Sequence, residues 1–187
     1  MQSSGRGNYN SFIAQFQPVS HTISSASIYE MSTTPKADPA AYPLMRENAL
    51  MRLRIKNLPD DAVHIVLMDW NVGRGTATVL AAADGTASVY LSSGGGFIGG
   101  GQKYPEIRKA ALHAIYLATG SLSQFEKTEK ADLPPAGDVY FYLTTSSGVR
   151  RAIAKEVSLR DGTNPLSSLG GIMQKIISEY RLKFPND

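Results

Sequence analysis

The segment TATVLAAADGTASVYLS, residues 76–92, decides the fold because two apolar runs flank the dipeptide Asp84-Gly85. Asp-Gly between two such runs is the strongest short-range signal of a β-hairpin. A two-residue turn at this dipeptide gives the register Ala83 opposite Thr86, Leu80 opposite Val89 and Thr78 opposite Leu91. The apolar residues that we then expect on one half-buried face are Leu80, Ala82, Ala87, Val89 and Leu91.

The residues before the hairpin predict a helix followed by a buried strand. Leu44, Met51 and Ile55 recur at helical spacing, so we expect a helix over 43–57. Residues 63–69 form a continuous apolar run rich in β-branched side chains, which is typical of a strand covered on both faces.

Two more helices and two more strands are expected after the hairpin. Pro105 suits the first turn of a helix, and apolar residues continue at helical spacing after it. Residues 139–144 are an apolar strand. A turn at Ser146-Ser147-Gly148 leads into 149–157, which is a strand by the shortness of the turn or a helix by propensity. Asn164-Pro165 then begins a terminal helix.

These elements give the order α-β-β-β-α-β-β-α. Strands joined by short turns are antiparallel, so we expect an α+β domain with a five-stranded antiparallel sheet and helices packed on it. This order is similar to that of profilin-like and roadblock-type sandwiches.

The glycine-rich segment SGGGFIGGGQK, residues 93–103, follows the hairpin and precedes a helix. Gly94, Gly96 and Gly99 match the pattern G-x-G-x-x-G, whose backbone N–H groups cradle phosphates in dinucleotide sites. However, the strand before it belongs to an antiparallel hairpin, and no acidic residue closes a following strand about 20 positions on. The segment therefore does not predict a Rossmann site, and it contains no P-loop motif.

Two interpretations of this segment remain. Its glycines either allow positive φ and close backbone packing, or form a loop that binds a ligand or partner. Gly170-Gly171 inside the terminal helix favours close packing. Two mid-helix glycines cost about 2 kcal/mol relative to alanine, which suggests that another backbone passes close by. Phe97-Ile98 is then a core plug or an exposed contact. The candidate ligand or partner residues are Gly94, Gly95, Gly96, Phe97, Ile98, Gly99, Gly100 and Gly101, together with Arg74 and Lys103.

The charge is weakly basic, with 19 Lys and Arg against 16 Asp and Glu and a formal net charge of +3. The densest basic stretch is Arg46, Arg52, Arg54 and Lys56, which is a solvated helix face or a patch that binds phosphate or acid. Aromatic residues do not interleave these charges, so the pattern does not favour nucleic acid as a partner.

Catalytic and metal-binding patterns are absent from the sequence. The chain has no Cys, which excludes disulfides and a cysteine nucleophile. His21, His64 and His113 are isolated, and neither H-E-x-x-H nor G-x-S-x-G occurs, so we expect no metal, no cofactor and no catalytic residues.

One loop is bracketed by polar residues. Asp69, Trp70 and Arg74 form a polar site at a sheet end, or they are a strand-terminating carboxylate beside an amphipathic ring with a structural role only.

Residues 1–38 differ in composition from the rest and are rich in Ser, Asn, Gln and Thr. We expect a flexible tail over 1–38 and a single α+β domain over 39–187, with residues 1–30 dispensable for folding and Met31 an alternative start. The N-terminus lacks an apolar signal region and no stretch is long enough to span a membrane, so a cytoplasmic location is expected.

From Ala83-Asp84-Gly85-Thr86-Ala87-Ser88 through the glycine-rich segment, the chain resembles a family of uncharacterised bacterial proteins. The likeness covers roughly residues 44–182 and leaves out the tail. It implies a small cytoplasmic bacterial domain and brings no catalytic residue with it.

The sequence thus favours a non-enzymatic protein-interaction or regulatory module that binds another protein or a second copy of itself. The alternative is a domain, which an enzyme could also be, that binds a small ligand or anion through backbone amides of residues 94–101 and Arg74 or Lys103.

Overall fold

The fold is built on one antiparallel sheet, and helices pack on both of its faces. An apolar core therefore lies on each side of the sheet. The computed structural model describes residues 39–51, 58–59, 62–73 and 75–185. The strands are β1 (Val63–Asn71), β2 (Thr76–Ala82), β3 (Ala87–Leu91), β4 (Gly96–Ile98), β5 (Glu126–Lys127), β6 (Asp138–Thr145) and β7 (Gly148–Lys155). Their order across the sheet is β4-β3-β2-β1-β6-β7-β5.

The helices of the described residues are α1 (Ala41–Met51), α2 (Pro105–Gly120), α3 (Glu156–Arg160) and α4 (Ser167–Lys183). Single turns of 3-10 helix, Gly100–Gln102 and Leu122–Gln124, lie on either side of α2. None of these described helices is long and apolar enough to cross a membrane. The expected tail, residues 1–38, and the end of the first expected helix, residues 52–57, lie outside the described residues.

The α+β class and the antiparallel sheet are confirmed, but the expectation of five strands is wrong. The sheet has seven strands, because β4 and β5 add one short edge strand at each end, and α3 is an additional helix. The strand order therefore also differs from the expected one. Neither edge strand can be recognised from the sequence. Strand β4 is Gly-Phe-Ile inside a glycine run and β5 is only Glu-Lys, so both are too short to show the alternation of apolar and polar residues that is typical of a strand.

The β2–β3 hairpin forms as expected, but its register is shifted by one residue. Leu80 pairs with Ser88 and Val79 with Val89, because the loop contains Ala83 as well as Asp84 and Gly85. Gly85 adopts φ 83° and its N–H donates to the carbonyl of Ala82 at 2.9 Å. This is the geometry of a three-residue hairpin loop that ends in a left-handed residue.

The shifted register divides the expected apolar face between the two sides of the sheet, as any slip of one residue does. Ala87 and Val89 join the core beneath α2 and α4, whereas Leu80 and Ala82 join the core beneath α1. Leu91 packs at the margin of the first of these cores. Both faces are buried, so either register would have satisfied the apolar pattern.

Residues 149–157, for which the sequence left strand and helix open, belong mainly to β7. A two-residue turn at Ser146-Ser147 pairs Thr145 with Gly148, and the ladder continues to Asp138 opposite Lys155. Helix α3 begins at Glu156, so only the last two residues of the range are helical.

The two other predicted helices need one adjustment. Helix α2 begins at Pro105 as expected. Helix α4 begins at Ser167, not directly after Asn164-Pro165, because Asn164 instead forms a turn in which its Oδ1 accepts the N–H of Leu166 at 2.9 Å.

The close backbone approach expected at Gly170-Gly171 is wrong. A Cβ at Gly170 would make ordinary contacts, 3.6 Å from Leu159 Cδ2 and 3.7 Å from Phe141 Cζ. A Cβ at the exposed Gly171 would meet nothing within 4 Å among the described residues.

We therefore expect Gly171→Ala to stabilise the protein. Alanine loses less conformational freedom than glycine when a helix forms, so the free energy of unfolding should rise by about 1 kcal/mol. Denaturant unfolding of both proteins measures the change. A loss of stability would contradict the open space that we describe beside α4.

Candidate functional site

The candidate residues Gly94–Gly101 lie at one edge of the sheet, where they form β4 and the 3-10 turn that leads into α2. Lys103 is exposed just beyond this turn, with its Nζ 5.5 Å from the centroid of the Tyr104 ring. Arg74 lies outside the described residues. The structure therefore brings together all of the candidate residues that it describes.

Several glycines of this segment are required by its backbone. Gly94, Gly95, Gly96 and Gly99 have φ values of 92°, 93°, 149° and 70°. Residues with a Cβ rarely adopt these conformations, so the turn between β3 and β4 depends on glycine.

Two further glycines are required by close packing. A Cβ on Gly101 would collide with the backbone carbonyl of Gly85 in the hairpin loop. A Cβ on Gly100 would collide with the Tyr180 ring. The segment therefore lies directly against the β2–β3 loop and α4, which is the structural role that the sequence left open.

The Tyr180 hydroxyl joins three elements. It accepts the N–H of Gly100 at 2.8 Å and donates to the carbonyl of Ala87 in β3 at 2.7 Å. Tyr180 is only 1% exposed, so both hydrogen bonds are shielded from water. Burial, together with the nearby Tyr90 and Tyr104, raises the pKa of Tyr180 to about 12, although the bond from Gly100 opposes the rise.

Three of the backbone amides that a phosphate cradle in this segment would use are already engaged. Gly94 N–H donates to the Leu91 carbonyl at 3.0 Å, and Gly99 N–H donates to Ser88 Oγ at 3.2 Å. Gly100 N–H donates to Tyr180. An anion here would have to replace internal hydrogen bonds, so the geometry does not favour a phosphate cradle.

Phe97 and Ile98 divide the two roles proposed for them. The Phe97 ring stacks on Tyr180 with centroids 4.8 Å apart and on Phe184 at 5.2 Å, so it is the core plug. Ile98 lies on the opposite face of the strand and is 64% exposed, as the alternative of an exposed side chain requires. Alternation along a strand explains why neighbours differ in this way.

The outer edge of β4 also presents backbone hydrogen-bonding groups. Phe97 pairs with Val89, and the Leu91 N–H donates to the Gly95 carbonyl at 3.1 Å, so alternate residues point their backbone groups at β3. The N–H and C=O groups of Gly96 and Ile98 therefore point away from the sheet. Within the described part of the chain these two residues have no other backbone partner.

The basic stretch and the second half of β1 contain a buried ion pair that the sequence did not predict. Arg46, expected on a solvated or anion-binding face, is buried and its Nη2 lies 2.6 Å from Asp69 Oδ2. The guanidinium also donates to the carbonyls of Ala131 and Asp132, at 2.6 and 3.1 Å. The sequence pattern around α1 does not distinguish Arg46 from the neighbouring basic residues. The ion pair with Asp69 is therefore recognised only from the tertiary packing.

Asp69 is completely buried, and Thr78 Oγ1 donates to its second oxygen. Burial raises the pKa of Asp69, while the hydrogen bonds from Arg46 and Thr78 oppose the rise. The neighbouring Trp70 is half-buried with its indole N–H unpartnered in the described residues. Through Arg46, the ion pair connects α1 and the loop at Ala131 to the sheet. The contacts of Asp69 therefore fit the second interpretation from the sequence, a purely structural role.

The two histidines that the structure describes, His64 and His113, do not lie together. His64 is buried in β1 with Nε2 3.1 Å from Ser146 Oγ, and His113 is exposed on α2. No group of His, Asp and Glu side chains able to hold a metal ion occurs among the described residues.

A polar cleft at the opposite edge of the sheet was not expected from the sequence. It has a volume of about 320 Å³ and lies beside β5 and β7. The lining residues are Gln124, Glu126, Lys127, Thr128, Arg151, Ala152 and Ile153. Its charges are of both signs and are mostly exposed, so it does not define a ligand chemistry.

No family model matches the chain, and comparisons with curated proteins and with solved structures find no match.

The packing of the segment predicts that Gly101→Ala destabilises the fold. The added methyl collides with backbone, which cannot rotate away as a side chain can, so we expect a loss of about 2 kcal/mol in denaturant unfolding. The matched control is Gly120→Ala at the exposed end of α2, where a Cβ meets nothing within 4 Å. Equal stability of the two variants would contradict the close approach.

The raised pKa of Tyr180 predicts a loss of stability in alkali. An unfolded tyrosine ionises near pH 10, whereas the folded protein keeps this hydroxyl protonated to about 12. The contribution of Tyr180 is therefore complete below pH 10 and is lost as the pH rises towards 12.

Urea unfolding between pH 9 and pH 12 tests this, using Tyr180→Phe and, as a matched control, Tyr116→Phe on the exposed side of α2. Tyr180→Phe should lower stability at neutral pH by about 1–3 kcal/mol, because it leaves two buried backbone groups unpaired. The free energy of unfolding of Tyr180→Phe should also fall less between pH 9 and pH 12 than that of the parent protein. A profile as steep as that of the parent protein would assign the loss to other groups.

Proposed function

We propose that this domain is a protein-interaction module that binds an extended strand of a partner at the outer edge of β4. The observation that supports it best is Ile98, an apolar side chain with 64% exposure on a strand edge whose backbone groups are unpaired in the described structure. Partners that add a strand to a sheet edge gain main-chain hydrogen bonds, and a neighbouring side chain gives selectivity.

The rigidity of the segment supports this proposal. Phe97 stacks inside the protein, and Gly100 is hydrogen-bonded to Tyr180. Ile98 is therefore held between two anchored positions, so less conformational entropy is lost when a partner binds.

The local charge also suits a strand partner. From Gly85 to Gln102 the sequence contains no charged residue. Proteins commonly protect exposed strand edges with charged side chains, and lysine above all. The edge of β4 lacks this protection.

The alternative function, binding of a small ligand or anion by the same segment, has less support. The amides of Gly94, Gly99 and Gly100 have internal acceptors, and a loop of this kind binds phosphate through free amides. Thermal unfolding against a panel of nucleotides, phosphates and small acids addresses it. A ligand at 100 times its dissociation constant would add about 2.7 kcal/mol, and we expect no such shift.

The proposed function is tested by selecting extended peptides from a displayed random library on the full chain. Peptides that bind should lose affinity by about tenfold or more for Ile98→Lys, because a buried ammonium replaces the apolar contact. The matched control is Ile153→Lys, which changes a 52% exposed isoleucine at the opposite edge of the sheet. Selected peptides that bind both variants as well as the parent protein would refute the β4 site.

A further inference from the structure

We infer that the strand bound at this edge comes from a second copy of the chain, so that two sheets join through antiparallel pairing of β4 with β4. This inference rests on the proposed function and names its partner. It follows from the register, the charge and the side chains of the edge itself.

The outward backbone groups are self-complementary. Gly96 and Ile98 both point their N–H and C=O groups away from β3. A two-fold axis at Phe97 places Gly96 of one copy opposite Ile98 of the other, and Ile98 opposite Gly96. Each opposed pair can exchange two hydrogen bonds, so all of the outward groups of β4 find partners.

The side chains fit the same register. Each Ile98 would lie opposite a glycine, which offers no side chain to obstruct it. The two Phe97 residues would face each other across the axis as a non-hydrogen-bonded pair, where side chains approach most closely.

The local charge and the position of β5 favour pairing of a second copy at β4 over pairing at β7. Strand β4 and its flanking residues, 85–102, carry no charged side chain, so the strand itself brings no charge into the contact. The lysines described nearby are Lys103 and Lys183, whose Nζ atoms lie 5.5 and 5.8 Å from the centroid of the Tyr104 ring.

On β7 the outward backbone groups of Arg151 already face Glu126 of β5, and only those of Ile153 and Lys155 lie beyond the end of β5. Antiparallel pairing of two β7 strands about Ile153 would therefore have to displace β5 from Arg151. It would also place Arg151, which is paired with Asp132, opposite Lys155, which is paired with Asp138.

A three-residue strand makes a small interface, so the dimer should be reversible. We expect sedimentation velocity of the full chain to show a monomer–dimer equilibrium between about 1 µM and 1 mM. Ile98→Pro removes an outward N–H that β3 does not use, and proline is accepted in edge strands. Ile98→Lys places a charge in the contact.

Both variants should raise the dissociation constant by about tenfold or more, and Ile153→Lys should leave it unchanged. A chain that stays monomeric over this range would overturn the inference. So would a dimer that the Ile98 variants leave intact, or one that Ile153→Lys disrupts.

A measurement without any variant checks the register. Amide hydrogen exchange of the parent protein should slow at Gly96 and Ile98 when the concentration is raised, because these N–H groups become hydrogen-bonded in the dimer. Exchange at Phe97, which already pairs with Val89, should not depend on concentration. Unchanged exchange at Gly96 and Ile98 in a dimeric sample would exclude this pairing.

The two proposals fail differently. If the chain is monomeric but selected peptides still bind through Ile98, the partner is another protein and only the self-pairing is wrong. If peptides bind independently of Ile98, the edge is not the interaction site and both proposals are wrong. If both are right, the selected peptides should dissociate the dimer.

Discussion

The geometry of the glycine-rich edge depends on the two hydrogen bonds of the Tyr180 hydroxyl. It accepts from Gly100 and donates to Ala87, so a single buried oxygen fixes the segment relative to both α4 and β3. This position of the segment is accessible only because Gly101 has no side chain against Gly85. The glycines and the tyrosine are therefore one structural unit. Removal of the Tyr180 hydroxyl leaves two buried backbone groups unpaired, and a side chain at Gly101 collides with the backbone of Gly85.

The sequence predicts those elements whose patterns depend on local physics. The apolar run of β1, the proline that opens α2 and the Asp-Gly turn all have local causes, and each is found. The hairpin register could not be obtained in this way, because β2 is buried on both sides and its apolar residues fit either register. Strands β4 and β5 have no pattern to detect, since the pairing of a neighbouring strand alone makes them strands.

The site shows the same division between local and tertiary information. The composition alone identifies residues 94–101 as unusual, but it cannot tell which glycine is needed for a turn and which for close packing. Nor does it assign Phe97 to the core and Ile98 to the surface, because that choice depends on α4 covering only one face of β4. Arg46 is the clearest case: in the sequence it is one of several basic residues, whereas in the fold it is buried against Asp69.

The difference between the two edges of the sheet bears on how large an assembly can become. A sheet with two equivalent open edges can add copies without limit, and an unprotected edge is then an aggregation hazard. Here the far edge is partly covered by β5, and beyond it β7 carries Arg151 and Lys155 on either side of Ile153. A third copy that approached β7 with its apolar β4 would have to displace β5 from Arg151. It would also have to remove water from the ion pairs that Arg151 and Lys155 form with Asp132 and Asp138, which is unfavourable. In the proposed pairing of β4 with β4, each copy uses the edge strand that carries no charge, so the proposed assembly would close at two.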